Sequence, residues 1–450
     1  MIDLFLNQLI LNINAFENII IVLWFFNYKN ITISWKIFRP LIKSQIFMSI
    51  SSEAKSDKLS KGKLLSGSFL IAGTMIGAGM LGMPMATARS GFIPGCLTTI
   101  GVWLFMLMTG ILLLEVCLKM PKGSNFLSIS EHFLGKFGKY FIGLMFVFLY
   151  YSLLVAYIAG GAPLFSELIY GRVSSSSTVY LIFSLVFGLI VFLGTKWVDR
   201  INIALSFSMY ALFVFIMFIS VNTISISNLS QHDFSKILIS VPVLFGAFGY
   251  HNVIPSLCDY LERDRKVLIL SIVFGTLISL TVYLVWQQAV LGSVSRESLQ
   301  IAMKEGKTCI SALQMVSVNS KLYLFGKYFA VSALATSLLG VSLSVVDFLK
   351  DGFSNYKIKI SRTLLCFLVF APCTFFAILK PDIFSSALGL AGGVGEAILN
   401  GIFPVVLVWV GFYNMNNLFD EKKYYFAKRY LSFLFLLGLM AIGIEILDLL

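Results

Sequence analysis

Two glycine-rich segments have the residue types and spacing to bind a small charged molecule through the backbone. They are residues 73–79, GTMIGAG, and residues 245–252, FGAFGYHN, the second lying between Pro242 and Pro255. Where a helix is interrupted, the N–H groups that start its second half favour a carboxylate, and the C=O groups that end its first half favour an ammonium group. Glycine lets a ligand approach the backbone closely. Each segment alone is typical of close helix packing, but together they predict a site for a zwitterion.

The composition indicates that these segments lie in a membrane protein. Of 450 residues, 58% are hydrophobic and 12% are charged, whereas soluble proteins average about 25% charged residues. A span takes about 20 apolar residues, and hydropathy from residue 64 onward predicts eleven of them. The predicted spans are 64–86, 94–117, 139–165, 178–194, 203–222, 236–258, 267–292, 327–349, 362–380, 390–413 and 428–449.

The two glycine-rich segments lie in spans one and six, each of which begins a set of five spans. Interrupted spans at corresponding positions of two halves indicate a transporter site built on an inverted repeat. The sequence therefore predicts an all-α polytopic membrane protein with five-helix repeats at 64–222 and 236–413 and an eleventh helix at 428–449. Residues 1–63 are predicted to be an N-terminal extension and cytoplasmic tail. Our hypothesis for 1–47 is a start assigned too far upstream or a loosely ordered extension.

The distribution of basic residues predicts the orientation of the chain. With the N-terminal tail inside, the tail and the inside loops carry twenty-one Lys and Arg residues against nine in the outside segments. Cytoplasmic loops are enriched in these residues, so the N-terminus is predicted inside and the C-terminus outside. The net charge of +12 is thus interpreted as a topology signal, and nucleic acid is not an expected partner.

The reactive side chains argue against other functional classes. Six cysteines lie singly, and two of the three histidines, His132 and His232, lie in predicted loops. We therefore predict no metal site, no cofactor and no membrane-embedded enzyme, since no nucleophile–base set is available. A channel is also disfavoured, because two interrupted helices in one chain fit alternating access better than a pore.

Three segments resemble bacterial aromatic amino acid permeases, the tyrosine- and tryptophan-specific transport proteins. They are residues 66–84, residues 248–257, and residues 336–343 with 347–349. The resemblance covers residues 60–450 and implies a LeuT-like fold of five plus five helices, with helices one and six unwound. It also implies proton symport of an aromatic amino acid across the bacterial inner membrane, the C-terminus being periplasmic. Tyrosine is the first-choice substrate and tryptophan the second, and sodium coupling is an alternative.

Several residues are predicted to contact the substrate. Main-chain groups of the first segment would bind the carboxylate, and carbonyls and rings of the second would face the amine and the aromatic ring. Tyr150, Tyr151 and Tyr157 of the third span are candidates to line the pocket. The predicted substrate-binding residues are Gly73, Thr74, Gly77, Gly79, Phe245, Ala247, Phe248 and Tyr151.

The ionisable and hydroxyl residues of the spans provide the coupling hypotheses. His251 and Glu396 are the proposed proton carriers, because an ionisable group inside a bilayer is functional by default. Thr336 and Ser337 are an alternative cation site, although such hydroxyls more often bond their own helix. The acids at or near span ends, Glu115, Glu445 and Asp448, are expected to be structural or solvated.

Overall fold

The computed structural model describes residues 61–316, 321–355, 359–413 and 427–450. These residues fold as helices joined by short connections, and no strand other than an isolated bridge between Gly91 and His232 occurs among them. The predicted all-α architecture is therefore confirmed. The hypothesis about residues 1–47 concerns a part of the chain outside the described residues.

A helix lies at each predicted span, although several extend beyond the predicted bounds, most of all at 126–170, where 139–165 was predicted. We number the α-helices in chain order and name the 3₁₀ and π segments by their residues. They are α1 (Lys61–Met75), α2 (Gly79–Ala88), α3 (Phe92–Lys119), α4 (Phe126–Tyr170), α5 (Ser177–Leu193), α6 (Thr195–Ser220), α7 (Ile226–Ser230), α8 (Val241–Ala247), α9 (Ile254–Tyr260), α10 (Arg265–Ser293), α11 (Arg296–Lys304), α12 (Cys309–Val316), α13 (Lys321–Asn355), α14 (Arg362–Leu379), α15 (Phe384–Leu390), α16 (Phe403–Tyr413) and α17 (Ala427–Leu449), with 3₁₀ turns at Phe234–Ser240 and His251–Val253 and a π-helix at Ala391–Ile402.

The helix lengths support a chain that crosses a membrane many times. In the described part of the chain, nine helical segments are long and apolar enough to span, and the bent pair α1–α2 makes a tenth. Helix α5 is apolar but has 17 residues, or about 26 Å at 1.5 Å per residue, slightly less than the hydrocarbon thickness of about 30 Å. The count of eleven spans and the division into two repeats stay predictions.

Both glycine-rich segments contain a break between helices. Helix α1 ends at Met75 and α2 begins at Gly79, with a bend of 60° between them. Helix α8 ends at Ala247, and α9 begins at Ile254 after a single 3₁₀ turn. Pro242 and Pro255 each occupy one of the first two positions of a helix, where the missing N–H has no intrahelical partner to lose. These prolines therefore start the half-helices.

The broken helices pack against long helices, of which α4 is kinked at Gly135. Helix α10 packs along α1 and α3, whereas α13 packs along α6 and α4. The π-helix contacts α8 on one side and α17 on another. π-helical turns are rare and occur frequently at functional sites. The fold thus holds the two breaks close to a π-helix that carries Glu396.

Candidate functional site

A central cavity of about 470 Å³ lies between the two breaks. The first break, the second break, α4, α6, α13 and the π-helix all contribute to its walls. Its lining includes Gly73, Thr74, Gly77, Gly79, Tyr150, Tyr157, Asn202, Gly246, Gly249, Asn252, Thr336, Ser337, Glu396 and Asn400. All four residues predicted in the first segment therefore line the cavity.

The backbone at the first break keeps donors available to the cavity. The N–H of Ala78 donates to Ser337 Oγ at 3.0 Å, which ties the start of α2 to α13. Among the described residues, the N–H groups of Gly77 and Gly79 have no hydrogen-bond partner. Because the start of a helix carries the positive end of its dipole, these two N–H groups can bind a carboxylate.

Two aromatic residues of α10 satisfy backbone carbonyls, Tyr283 at the two breaks and Trp286 in α2, where Pro84 leaves the Met80 carbonyl without its intrahelical donor. The Tyr283 hydroxyl lies 2.5 Å from Met75 O and 2.7 Å from Ala247 O, the last residues of α1 and α8. Trp286 Nε1 donates to Met80 O at 2.8 Å. Carbonyls at a helix end lack intrahelical donors, so Tyr283 holds the two half-helix ends together. The sequence analysis missed this residue, because nothing local distinguishes it from the other 17 tyrosines.

Glu396 is the acid in the cavity wall. It is 6% exposed, and Asn400 Nδ2 donates to its carboxylate. The carboxylate lies against the second break, since a Cβ on Gly249 would be 2.5 Å from Glu396 Oε1. Among the described residues, no cationic side chain forms an ion pair with it. A charged group in this position is costly in a membrane, which marks it as functional.

His251 lies behind the cavity wall and does not line it. Its ring is fully buried, and Nε2 lies 3.0 Å from Thr109 Oγ1 on α3. Nδ1 has no hydrogen-bond partner among the described residues. Of the two residues predicted as proton carriers, the structure therefore brings only Glu396 to the cavity.

Three aromatic side chains that were predicted to contact the substrate do not line the cavity. The first is that of Tyr151; those of Phe245 and Phe248 are described below. Tyr151 donates its hydroxyl to Leu368 O on α14 at 2.9 Å, whereas the other two candidates, Tyr150 and Tyr157, line the cavity. Adjacent residues differ by about 100° around a helix, so Tyr151 points toward α14 while Tyr150 points toward the cavity.

The side chains of the second segment are also buried in helix packing. Phe245 packs against Phe105 with ring centroids 5.1 Å apart, and Phe248 packs against Tyr283 at 5.0 Å. The cavity is lined here by Gly246 and Gly249, and Ala247 offers only its carbonyl, which Tyr283 contacts. The predicted apolar ring faces of this segment are therefore absent from the cavity wall.

The hydroxyl pair on α13 makes other bonds. Thr336 Oγ1 donates to Ala333 O of its own helix at 3.0 Å, and Ser337 Oγ accepts the N–H of Ala78. Both residues line the cavity. An oxygen that already accepts an N–H at the positive end of a helix is a poor cation ligand.

The expectations for the span-end acids are partly wrong. Asp448 accepts a hydrogen bond from Arg89 Nη1 at 2.8 Å, and Glu115 accepts one from Arg265 Nε at 2.8 Å. Glu445, which we expected to be solvated, is 4% exposed. Its solvation could not be judged from sequence, because the π-helix that covers it is remote in the chain.

Comparison with known proteins decides the family. The model of the tryptophan/tyrosine permease family matches residues 60–445. The chain belongs to this family. The family is one of permeases and not of enzymes, and the resemblance seen in the sequence is confirmed.

Two curated relatives carry names that differ in substrate. The permease is 33% identical over 353 residues to the tyrosine-specific transport system 1 of Haemophilus influenzae, covering 77% of this chain and 88% of the relative. It is 32% identical over 403 residues to the tryptophan-specific transport protein of the same organism, covering 85% and 95%. The family is thus clear, but the identities to the tyrosine-specific and the tryptophan-specific relative are almost equal.

A solved structure supports the fold of the permease. MhsT, a LeuT-fold protein crystallised in complex with L-phenylalanine, superposes with a TM-score of 0.60 and 14% sequence identity. The match covers 88% of this chain and 99% of MhsT. The predicted LeuT-like fold is therefore confirmed.

Proposed function

We propose that this permease imports an aromatic amino acid across the bacterial inner membrane together with a proton. Tyrosine is the first-choice substrate and tryptophan the second, in keeping with the names of the relatives. The observation that carries the proposal is the juxtaposition of Glu396 with two broken helices around one cavity. The cavity supplies backbone groups for a zwitterion and an acid for the coupling ion.

The substrate carboxylate binds at the start of α2 in this proposal. The N–H groups of Gly77 and Gly79 are free there, and the helix dipole adds to their attraction. The ammonium group lies toward the backbone of the second break, where Gly246 and Gly249 line the cavity. Tyr150 and Tyr157, which line the opposite wall, offer aromatic faces and hydroxyls to the ring of the substrate.

Glu396 is the proposed proton carrier in preference to His251. A carrier must meet the substrate cavity in one state, and Glu396 lines it whereas His251 bonds Thr109 behind it. Sodium is the alternative coupling ion. It is disfavoured because Thr336 and Ser337 direct their hydroxyls to other partners.

A membrane potential makes this coupling sufficient for accumulation. One proton entering down 100 mV supplies about 2.3 kcal/mol, and at 1.4 kcal/mol per decade this supports roughly 50-fold accumulation of a neutral zwitterion. A pH gradient adds to this value.

Alternating access is proposed to move spans one, two, six and seven, which are α1 with α2, α3, α8 with α9, and α10, together against the rest of the helices. Arg263, after α9, donates to Cys117 O and Met120 O at the end of α3, both at 2.7 Å. The hydrogen bond from Lys63 on α1, 2.8 Å from Glu262, lowers the pKa of that loop carboxyl. These contacts support motion of the group as one body, with the N-terminal tail on the cytoplasmic side.

Transport into proteoliposomes tests the proposal. Labelled tyrosine and tryptophan are supplied in turn, first under an imposed pH gradient and then under a sodium gradient of equal size. We expect uphill tyrosine uptake with the pH gradient and none with sodium alone. Uptake that follows sodium contradicts proton coupling, and preferential uptake of tryptophan reverses the order of substrates.

A further inference from the structure

Glu445 on α17 is another buried acid, which the substrate site does not use. It is 4% exposed, and it has no hydrogen-bond or ion-pair partner among the described residues. A buried ionisable group within a span is costly unless it is paired or serves in ion movement. The position of Glu445 therefore requires an explanation.

Glu445 lines a cavity separate from the central one. This α17 cavity has a volume of about 420 Å³ and is also lined by Pro242 and Val243 of α8 and by Gly389. Its other charged lining residues are Arg89, Lys236, Lys304, Lys380, Asp382 and Asp448. Arg89 and Asp448 pair with each other at 2.8 Å, and of the three acids that line the cavity only Glu445 is buried.

Glycines allow Glu445 to lie against the helical segment that carries Glu396. A Cβ on Gly389 would be 2.7 Å from Glu445 Oε1, and one on Gly393 would be 2.6 Å from Glu445 Cβ. Glu396 follows Gly389 by seven residues, roughly 10 Å along a helix axis. Glu445 of α17 therefore packs against the helical segment that carries Glu396, and the two acids line different cavities.

Helix α8 forms part of the wall between the two cavities. Pro242 and Val243 line the α17 cavity, whereas Gly246 and Gly249 line the central one. The layer between them is closely packed, since a Cβ on Gly392 would be 1.9 Å from Pro242 O. In this conformation the layer separates Glu445 from Glu396, and movement of α8 changes the surroundings of both acids.

We propose that Glu445 is a second proton-binding site of the permease, loaded from the α17 cavity. This role rests on the proton coupling proposed above. The carboxylate of Glu445 takes a proton from water in the α17 cavity and becomes neutral. When α8 moves, the proton passes to the carboxylate of Glu396, Glu445 is ionised again, and Glu396 releases the proton to the water of the central cavity.

The charges around Glu445 control how readily it binds the proton. Of the elements packed against α17, the 3₁₀ turn Phe234–Ser240 carries Lys236 and the π-helix carries Glu396, whereas α8, α15 and α16 carry no charged residue. Arg89, Lys304 and Lys380 favour the ionised carboxyl, and Asp382 and Asp448 oppose it. The charges of these groups therefore affect the pH dependence of proton binding by Glu445.

The test separates proton-driven uptake from exchange. Proteoliposomes containing wild type, Glu445→Gln, Glu445→Asp or the exposed control Glu297→Gln are assayed for tyrosine accumulation under a pH gradient. The same proteoliposomes are assayed for tyrosine counterflow without a gradient, and initial rates are measured across pH. We expect Glu445→Gln to lower gradient-driven accumulation at least ten-fold and to flatten the pH profile, with counterflow within about two-fold of wild type. Glu445→Asp should restore accumulation in part, and Glu297→Gln should match wild type.

Other outcomes overturn the role. Accumulation by Glu445→Gln equal to wild type removes Glu445 from the proton path, and equal loss of accumulation and counterflow assigns it a structural role only. If Glu445→Gln does not fold, a Glu445→Asp variant with an unshifted pH profile is the contradicting result. If the wild-type protein shows tyrosine counterflow but no accumulation under the pH gradient, the proton coupling itself is contradicted. This result differs from one in which only the Glu445 variants lose accumulation.

Discussion

At the scale of single residues, position relative to the cavity separates the two predicted proton carriers. Glu396 and His251 are both buried ionisable groups in spans. Only Glu396 lines the central cavity, where its carboxylate meets Asn400 and the backbone of Gly249. Burial alone is thus a weak criterion for coupling, because a buried histidine can equally bond a neighbouring helix, as His251 does with Thr109.

Substitution of the two residues should separate their roles. We expect Glu396→Gln, which keeps the shape but removes the titratable proton, to abolish pH-gradient-driven accumulation while tyrosine counterflow remains. His251→Ala should retain most of the uphill transport of wild type. Both variants are measured in proteoliposomes with matched protein content. Uphill transport retained by Glu396→Gln and lost in His251→Ala would assign the coupling to the histidine.

Tyr283 should contribute to stability through its shared hydrogen bonds. Removal of a donor from a buried carbonyl costs about 1–3 kcal/mol, and the Tyr283 hydroxyl serves both Met75 O and Ala247 O. We expect Tyr283→Phe to lower the melting temperature in detergent and to weaken tyrosine binding. The exposed Tyr328→Phe is the control and should leave both unchanged. A Tyr283→Phe variant with wild-type melting and binding would show that the hydroxyl does not hold the half-helices.

At the scale of elements, the second break and the π-helix function as a pair. Gly249 in the break allows the Glu396 carboxylate to reach the backbone, and the packing of α8 on the π-helix holds that contact. Neither element alone forms the acid site. The reason for a glycine at position 249 therefore becomes visible only when the side chain of Glu396 on the π-helix is considered with it.

A methyl group on Gly249 should disturb this pairing. The added Cβ would lie 2.5 Å from Glu396 Oε1, so the carboxylate must move. We expect Gly249→Ala to reduce proton-driven uptake at least ten-fold, with a smaller effect on folding yield. Gly101→Ala, in α3 with open space around it, is the matched control and should be neutral or slightly stabilising. Equal uptake by both variants would contradict the contact between Gly249 and Glu396.

At the scale of the whole molecule, the proposed transport cycle requires opposite ends of the protein to open in turn. Leu70 on α1 is 44% exposed and lines the central cavity, whereas Ile301 on α11 is 49% exposed and is absent from that lining. The basic-residue distribution predicts that α1 begins at the cytoplasmic face and that α11 lies at the opposite face. The two residues thus report on different sides of the membrane.

Single-cysteine labelling tests the orientation and the cycle together. A membrane-impermeant thiol reagent should modify Leu70→Cys in inside-out vesicles and Ile301→Cys in right-side-out vesicles. Tyrosine should change the labelling rate of Leu70→Cys, because that side chain lines the substrate cavity. The unsubstituted protein, whose described cysteines are buried or half-buried, measures background. Labelling of the two variants from the reverse sides would invert the predicted topology.

The sequence by itself determined the features that depend on local composition. Its apolar excess identified a membrane protein, and its family motifs identified the permease family and its fold. Glycine and proline indicated where both helix breaks lie. These properties need only neighbouring residues, because span length, dipole ends and chain flexibility are local.

Only the tertiary structure decided which side chains meet. Of the three candidate tyrosines it directed Tyr150 and Tyr157, but not Tyr151, to the cavity, and it placed His251 behind the wall. It also buried Glu445 against Gly389 and brought Tyr283 to Met75, 208 positions away in the chain. The reason is physical: rotation about each helix axis is set by packing against helices remote in sequence, and hydropathy is nearly uniform around a buried span.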